Sequence, residues 1–360
     1  AGPTANPYIE VYRSMRTEIT KDVLRRAAAA FQTKGELRSC VPYGSGHIND
    51  TFRLDCEIPY ILQRMNRDIF RDIPALMRNI SLVTGFLREK ILSRGGDPER
   101  ECLNLIPTRD GKSFYRDPDG ECWRAYLFIE RASSYNLVRR PEDFRESGRA
   151  FGNFQLLLSD FDASLLTETI ADFHDTKKRF LRFREALTED PLGRAKSCER
   201  EIRFALSREM LSDRAMSALR EGRLPLRVCH NDTKLNNIMI DDESGKAVCI
   251  IDLDPVMPGL SLFDFGDSIR FGASTAEEDE RDLSKVHFSL PLYELYREGY
   301  LEGSGGSLTE EEIRMLPESA RLMTLECGVR FLTDYLSGDH YFRTSRPAHN
   351  LDRVRTQFRL

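Results

Sequence analysis

No apolar run in this chain exceeds five residues, and the longest are Ala27–Phe31, Ala125–Ile129 and Ala247–Ile251. A membrane-spanning helix needs about twenty, so helical insertion is excluded. The opening stretch Ala1–Glu10 lacks the basic-then-apolar profile of a secretory signal. Paired cysteines are missing too. The eight cysteines (40, 56, 102, 122, 198, 229, 249 and 327) form no Cys-x-x-Cys, and most stand among apolar neighbours. That spacing argues against a zinc knuckle or a disulfide frame and fits free thiols in a reducing cytoplasm. Neither charge dominates: 53 Lys and Arg against 58 Asp and Glu leave a net −5, with no global basic field for nucleic acid. Repeats and low-complexity segments are absent. The chain has 360 residues, 40% of them hydrophobic, which suffices for a sizeable core. Its length suggests two domains or one bilobal unit.

The hydrophobic pattern changes along the chain. Val23, Leu24, Ala27 and Phe31 are spaced as on a helix over Thr20–Phe31. Three strand-like runs follow, Leu37–Tyr43, Asp50–Cys56 and Tyr60–Met65, separated by Gly44-Ser45-Gly46 and Glu57-Ile58-Pro59. Ile73, Leu76, Met77, Ile80, Val83, Leu87 and Ile91 then mark one face of a long helix. Two further strands are predicted around Leu103–Pro107 and Cys122–Glu130. After Ser133 helices dominate, including one marked by Phe144, Gly148, Phe151, Phe154, Gln155 and Leu158. Glu199–Leu211 and Asp213–Glu221 read as further helices. Leu226–His230 and Ala247–Leu253 read as strands within this helical part. Leu301–Ser307 reads as a flexible stretch, and Thr309 with Glu312 as a capping box. The order predicts an α+β chain, a mixed lobe of strands followed by a helical lobe.

The chemistry concentrates in Val228–Asn237, which contains His230-x-Asp232 and then Asn237, five residues after the Asp. This is the catalytic-loop pattern of kinases, with Asn231 in place of Arg. A carboxylate there orients an attacking hydroxyl, and a nearby amide oxygen holds Mg²⁺ beside the phosphates. Taken alone, so short a motif also fits an Asx-rich turn between strands. The apolar run Ala247–Ile251 delivers Asp252 at its end, 20 residues after Asp232. A carboxylate held at a strand end suits a divalent cation. The tripeptide Asp264-Phe265-Gly266 is a rival, but it follows Pro258-Gly259 rather than an apolar strand. Asp252 is therefore read as the metal ligand and Asp264 as a support of the loop.

Together these residues resemble the aminoglycoside phosphotransferase/choline kinase superfamily. Its loop reads H-x-D-x-x-x-x-N and its metal segment I-D-x-[DE]. The resemblance is closer still to the N-acetylhexosamine 1-kinases within it. It rests on Tyr43–Asn49, Tyr60–Asn66, Ser134–Val138, Phe173–Thr176, His230–Ile238, Leu262–Ser274 and Glu326–Tyr335, and runs from about Tyr43 to Asn350. It implies a bilobal protein-kinase-like fold with an antiparallel-sheet N-lobe and a mainly helical C-lobe. Residues 1–131 would form the nucleotide-binding lobe, with a helical extension, and 132–360 the catalytic and sugar-binding lobe. The implied reaction moves the terminal phosphoryl group of ATP, with Mg²⁺, to the anomeric hydroxyl of N-acetylglucosamine or N-acetylgalactosamine. Asp232 would be the catalytic base, Asn237 and Asp252 the metal ligands. His47, Asp254, Arg330 and Tyr341 would join Asp232 around the sugar.

For the nucleotide, Gly44-Ser45-Gly46 resembles a phosphate-covering loop, where missing Cβ atoms let backbone N–H groups approach phosphate. Gln63 stands where such kinases carry a phosphate-gripping basic residue, with Arg64 on the opposite strand face. Backbone groups from Phe128 through Glu130 to Arg131 would meet the adenine edge. The expected partners are a small sugar and ATP, with no nucleic acid and no membrane, for a cytoplasmic monomer. Kinases of homoserine, methylthioribose, choline or aminoglycosides are the related alternatives, and a non-catalytic nucleotide-binding scaffold a more distant one. The lack of an aromatic cage weighs against choline. The basic run from Arg343 to Arg359 weighs against polycationic aminoglycosides.

Overall fold

A computed structural model describes residues 19–44, 48–135 and 138–360. They divide into two compact units. One reaches to Arg88 and resumes over Asp97–Glu130, and the other comprises Glu89–Gly96 and Arg131–Leu360.

In the first unit, helix α1 (Lys21–Ala29) starts at Thr20, whose hydroxyl accepts the Val23 N–H. Strands β1 (Ser39–Pro42), β2 (Asp50–Asp55) and β3 (Pro59–Arg64) form the predicted meander. Helix α2 (Ile73–Ser93) follows, and all seven residues of its predicted stripe are buried. After the short helix α3 (Pro98–Glu101) come β4 (Leu105–Ile106), β5 (Tyr115–Arg116) and β6 (Cys122–Leu127). The antiparallel sheet runs β1-β2-β3-β6-β4, with β5 also on β6. The two-residue β5 has no period a sequence could display. Val23, Leu24 and Ala27 of α1 pack with Phe52, Leu54, Leu62 and Trp123 of the sheet.

The second unit begins with β7 (Ala132–Ser133) and helix α4 (Pro141–Leu157). Helices α5 (Thr176–Glu189), α6 (Glu199–Leu206) and α7 (Arg214–Arg220) lead to β8 (Arg227–Cys229). Then come β9 (Ile238–Asp241), β10 (Ala247–Ile250) and β11 (Met257–Gly259). Helices α8 (Ser261–Gly272), α9 (Leu290–Ser304), α10 (Glu310–Ser337) and α11 (His349–Arg359) complete the chain. Two small antiparallel sheets, β10-β9-β7 and β11-β8, lie among these helices.

Helices α4 and α9 approach until backbone meets backbone. A Cβ at Gly148 or Gly152 would fall 2.2 Å from the carbonyl oxygen of Tyr296 or Tyr300. In return, one at Gly299 or Gly303 would fall 2.1 Å from that of Arg145 or Arg149. This pairing corrects the flexible reading of Leu301–Ser307. Helix α9 continues through Ser304 and ends at left-handed Gly305, because Gly303 is there for close packing rather than freedom. The capping box at Thr309 and Glu312 is present. No helix among the described residues is long and apolar enough to cross a membrane.

Candidate functional site

The loop 228–237 starts from a fixed strand. β8 pairs with β11 in the register Cys229↔Met257, and a Cβ on Gly259 would press to 2.9 Å from Cys229 Sγ. Arg227 and Glu312 form a buried ion pair beneath it, with N–O distances of 2.8 and 2.6 Å. Glu312 also accepts from Ser261 and closes the α10 capping box, so one carboxylate ties β8, α8 and α10. Burial opposes its ionisation, but Arg227, Ser261 and the Thr309 N–H hold its pKa below the usual glutamate value.

Asp264, in the first turn of α8, grips the loop itself. Its Oδ2 accepts the His230 N–H at 2.9 Å, and its Oδ1 the Asn231 N–H at 2.8 Å. Gln155 of α4 donates to the same carboxylate at 3.3 Å and to the Val228 carbonyl at 3.0 Å. Burial pushes the Asp264 carboxyl up, against His230 and the two backbone donors. Its place in a helix, filled with loop donors, matches the support role that its sequence context implied.

His230 is fully buried, edge-on to Phe151 and Phe154. Its Nε2 donates to Ile251 O at 2.9 Å, and its Nδ1 faces the Asp232 N–H at 3.3 Å. Asn237 closes the loop from the other end. Its Nδ2 donates to the Asp232 carbonyl at 2.8 Å and to Asp232 Oδ2 at 3.1 Å. The Asn237 carbonyl accepts the Ile251 N–H at 2.9 Å, so the β9–β10 hairpin returns Ile251 to both His230 and Asn237. Asp252 is the next residue, exposed and in the left-handed region at φ 58°. Asp232 and Asn237 are thus held in one hydrogen-bonded frame with Ile251, the residue that precedes Asp252. An amide and a carboxylate suit Mg²⁺, which takes few protein ligands and completes its shell with water and phosphate oxygens.

Lys234 is a member of this frame that the sequence reading missed. Its Nζ lies 2.8 Å from Asp232 Oδ1. Burial works against its charge, yet Asp232 holds its pKa above the ordinary lysine value. The available signal was spacing, since Lys234 is extended and a residue two positions on faces the same way.

Three of the predicted acceptor residues, Asp254, Arg330 and Tyr341, also lie in this unit. Asp254 is buried two residues after Asp252. Arg330 of α10 sets its guanidinium over the rings of Phe173 and Phe342, at 5.6 and 5.5 Å. Tyr341 adjoins Phe342, 71% exposed, on a turn organised by Asp334. That carboxylate accepts the N–H groups of His340, Tyr341 and Phe342 and an amide proton of Asn350. The structure therefore brings Arg330 and Tyr341 to one aromatic cluster.

A model of the phosphotransferase enzyme family matches residues 39–299. The chain belongs to this family. Solved structures share the fold of this phosphotransferase at low identity. An amicoumacin kinase, solved with AMP-PNP, Ca²⁺ and Ami, is 13% identical, with TM-score 0.60 over 97% of this chain and 94% of its own. An aminoglycoside phosphotransferase from Alicyclobacillus acidocaldarius is 15% identical, with TM-score 0.59 over 96% and 92%. An ethanolamine kinase from Plasmodium vivax is 14% identical, with TM-score 0.54 over 89% and 81%.

In the first unit of this phosphotransferase, Gly44 is left-handed at φ 77°, and Ser45, Gly46 and His47 lie outside the described residues. Gln63 occupies a sheet rung, donating to Thr51 Oγ1 at 3.0 Å and accepting from Arg124 Nε at 2.9 Å. Arg64 points to the other face and pairs with Asp50 at 2.9 Å. A cation thus does stand beside Gln63, but it is Arg124, from the neighbouring strand. The Phe128 N–H extends the β3–β6 pairing by donating to Pro59 O, and the Glu130 carbonyl accepts from Arg100.

Proposed function

We propose that this phosphotransferase is a small-molecule kinase. In this reading it uses ATP and Mg²⁺ to phosphorylate the anomeric hydroxyl of an N-acetylhexosamine. The observation that carries this is the frame joining Asp232, Asn237 and Ile251-Asp252. Asn237 and Asp252 would hold the metal, whose role is to neutralise charge on the phosphates. Asp232 would orient the hydroxyl of the acceptor. Phosphoryl transfer proceeds through a loose transition state, so a modestly basic carboxylate in the right place suffices. Lys234 holds positive charge beside that carboxylate, where negative charge gathers during transfer.

For the acceptor, the reading assigns Asp254, Arg330 and Tyr341, together with His47. An exposed tyrosine ring with a guanidinium nearby suits a molecule with an apolar face and many hydroxyls. Gly44, Ser45, Gly46, Gln63, Phe128 and Glu130 are the proposed nucleotide contacts. The similarity to kinases of amicoumacin and ethanolamine makes an amino alcohol a necessary member of the comparison set.

The test is incubation with Mg-ATP and a panel of N-acetylglucosamine, N-acetylgalactosamine, ethanolamine, homoserine and an aminoglycoside, followed by phosphorus NMR. A phosphate on the anomeric carbon of either sugar is the expected product. Transfer only to an amino alcohol, an aminoglycoside or a primary sugar hydroxyl would overturn the sugar assignment. No transfer to any acceptor, by a folded chain, would overturn the kinase assignment.

A further inference from the structure

Two peptide groups link Asp232 to Lys234, and a side chain holds the carbonyl of each. Asn237 Nδ2 donates to the Asp232 carbonyl at 2.8 Å. Ser268 Oγ, from α8, donates to the Thr233 carbonyl at 2.8 Å. Thr233 and Ser268 are both buried, so this second bond is shielded from water.

A serine inside a helix ordinarily turns its hydroxyl back on the carbonyl four residues earlier. For Ser268 that is the Asp264 carbonyl, and Thr233 Oγ1 already donates to it at 2.7 Å. Loop and helix thus exchange two bonds, and the Ser268 hydroxyl reaches across to the loop. A serine hydroxyl has one proton to give. Its direction is set from the other side by Tyr296 of α9, whose O–H donates to Ser268 Oγ at 2.7 Å. Tyr296 is fully buried, and burial pushes its phenol pKa up, so it keeps the proton it donates. Its ring lies against Phe144 and Phe265, with centroids at 4.8 and 5.5 Å. Its carbonyl is the atom on which Gly148 closes, so the α4–α9 contact fixes Tyr296 as well.

We infer that Ser268 and Tyr296 are positioning residues for phosphoryl transfer. Tyr296 aims the Ser268 hydroxyl, and that hydroxyl holds the Thr233 carbonyl, which keeps Lys234 Nζ at Asp232 Oδ1. The residue before Ser268 serves the same placement. Burial opposes the charge of Lys234, and the carboxylates of Asp232 and then Asp267 uphold it. The effect on turnover rests on the kinase reading of the site, whereas the placement of the loop does not.

The test uses the full chain with Ser268→Ala, with Tyr296→Phe, and with both. Ser268→Ala strands the Tyr296 hydroxyl as a buried donor, so its melting temperature should fall. The double variant removes that stranded donor, and the melting temperature should recover in part. Turnover should not recover, because the Thr233 carbonyl still lacks its donor. With Mg-ATP and the panel acceptor that is phosphorylated, kcat per folded molecule should lie about tenfold below wild type in both variants, the value of one net hydrogen bond. KM for ATP should stay within about twofold, since the loss falls on the transition state. Tyr296→Phe alone keeps the ring and frees the Ser268 hydroxyl to rotate, and should lower kcat about threefold. Without nucleotide or acceptor, hydrogen exchange of residues 231–237 should run about tenfold faster in Ser268→Ala and in the double variant. A kcat that recovers with the melting temperature would mean a merely structural role and overturn the proposal. Unchanged exchange in the loop would do the same. If Ser268→Ala does not fold, Tyr296→Phe decides, and wild-type kcat and exchange in it would overturn the proposal. A wild type that transfers no phosphate, while the exchange differences hold, would refute the kinase reading alone.

Discussion

Lys234 Nζ and Asp232 Oδ1 lie 2.8 Å apart, and Asn237 Nδ2 approaches the same carboxylate at 3.1 Å. The carboxylate proposed to orient the acceptor is thus itself oriented by a cation and an amide. Asp232→Asn keeps the shape and removes the charge. We expect turnover to fall by about two to four orders of magnitude with little change in ATP affinity, read by steady-state kinetics. Lys234→Met should lower turnover on the order of a hundredfold, as the loss of one charge-stabilising donor does, with an unchanged melting temperature. Near-wild-type turnover in either variant would remove that residue from the mechanism.

Asp264 acts on the loop from behind. Asp264→Ala leaves the His230 and Asn231 N–H groups without their acceptor. A loss of roughly 1–3 kcal/mol in urea unfolding is expected, since buried N–H donors are left unsatisfied. Turnover should fall further than the folded fraction does, because the displaced loop carries Asp232. A variant that loses stability but keeps full turnover per folded molecule would deny the positioning role.

The Arg227–Glu312 pair sets a pH dependence. Glu312 has a depressed pKa in the folded chain, so its contribution is complete above the unfolded value, about 4.5. It is lost as pH falls through the lower folded value. Glu312→Ala, which strands a buried guanidinium, should cost about 3–5 kcal/mol at pH 7. The gap between variant and wild type should narrow below pH 4.5, read as melting temperature against pH. A gap independent of pH would mean that the carboxylate charge contributes nothing.

The α4–α9 contact gives a packing test with an internal control. Gly148→Ala and Gly152→Ala each force a methyl group into a backbone carbonyl, and a loss of about 1–3 kcal/mol is expected from denaturant melts. Gly85→Ala, on an exposed face of α2 with nothing within 4 Å, should stabilise by up to about 1 kcal/mol. Equal effects at all three positions would show that helix propensity, not contact, sets the result.

What could be read in the sequence was what repeats locally or obeys short spacing. The α2 stripe, the three-strand meander and the capping box at Thr309 belong to that class. So does the Asp232–Asn237 spacing, which the Asn237 side chain closes directly. Asp264 was read as a support because Pro258-Gly259 looked unlike a strand, yet those residues form β11, whose three-residue length gives a sequence no period to display. Contacts between distant segments had no such signal. Nothing near Gln63 announces Arg124, and nothing near Tyr341 shows that Asp334 gathers three successive N–H groups of its turn. Helix α9 was misread over Leu301–Ser304 because glycine and serine suggest freedom, whereas here Gly303 permits contact with Arg149, 154 residues earlier in the chain.

Asn231 and Asp252 both hold left-handed backbones, at φ 65° and 58°. Side chains branched at Cβ resist that conformation, while glycine, asparagine and aspartate accept it. A combinatorial library aimed at a new acceptor would therefore waste most of its diversity at these two positions. Randomisation is better directed to Tyr341 and its neighbours, whose turn is gathered by a carboxylate outside the mutated set.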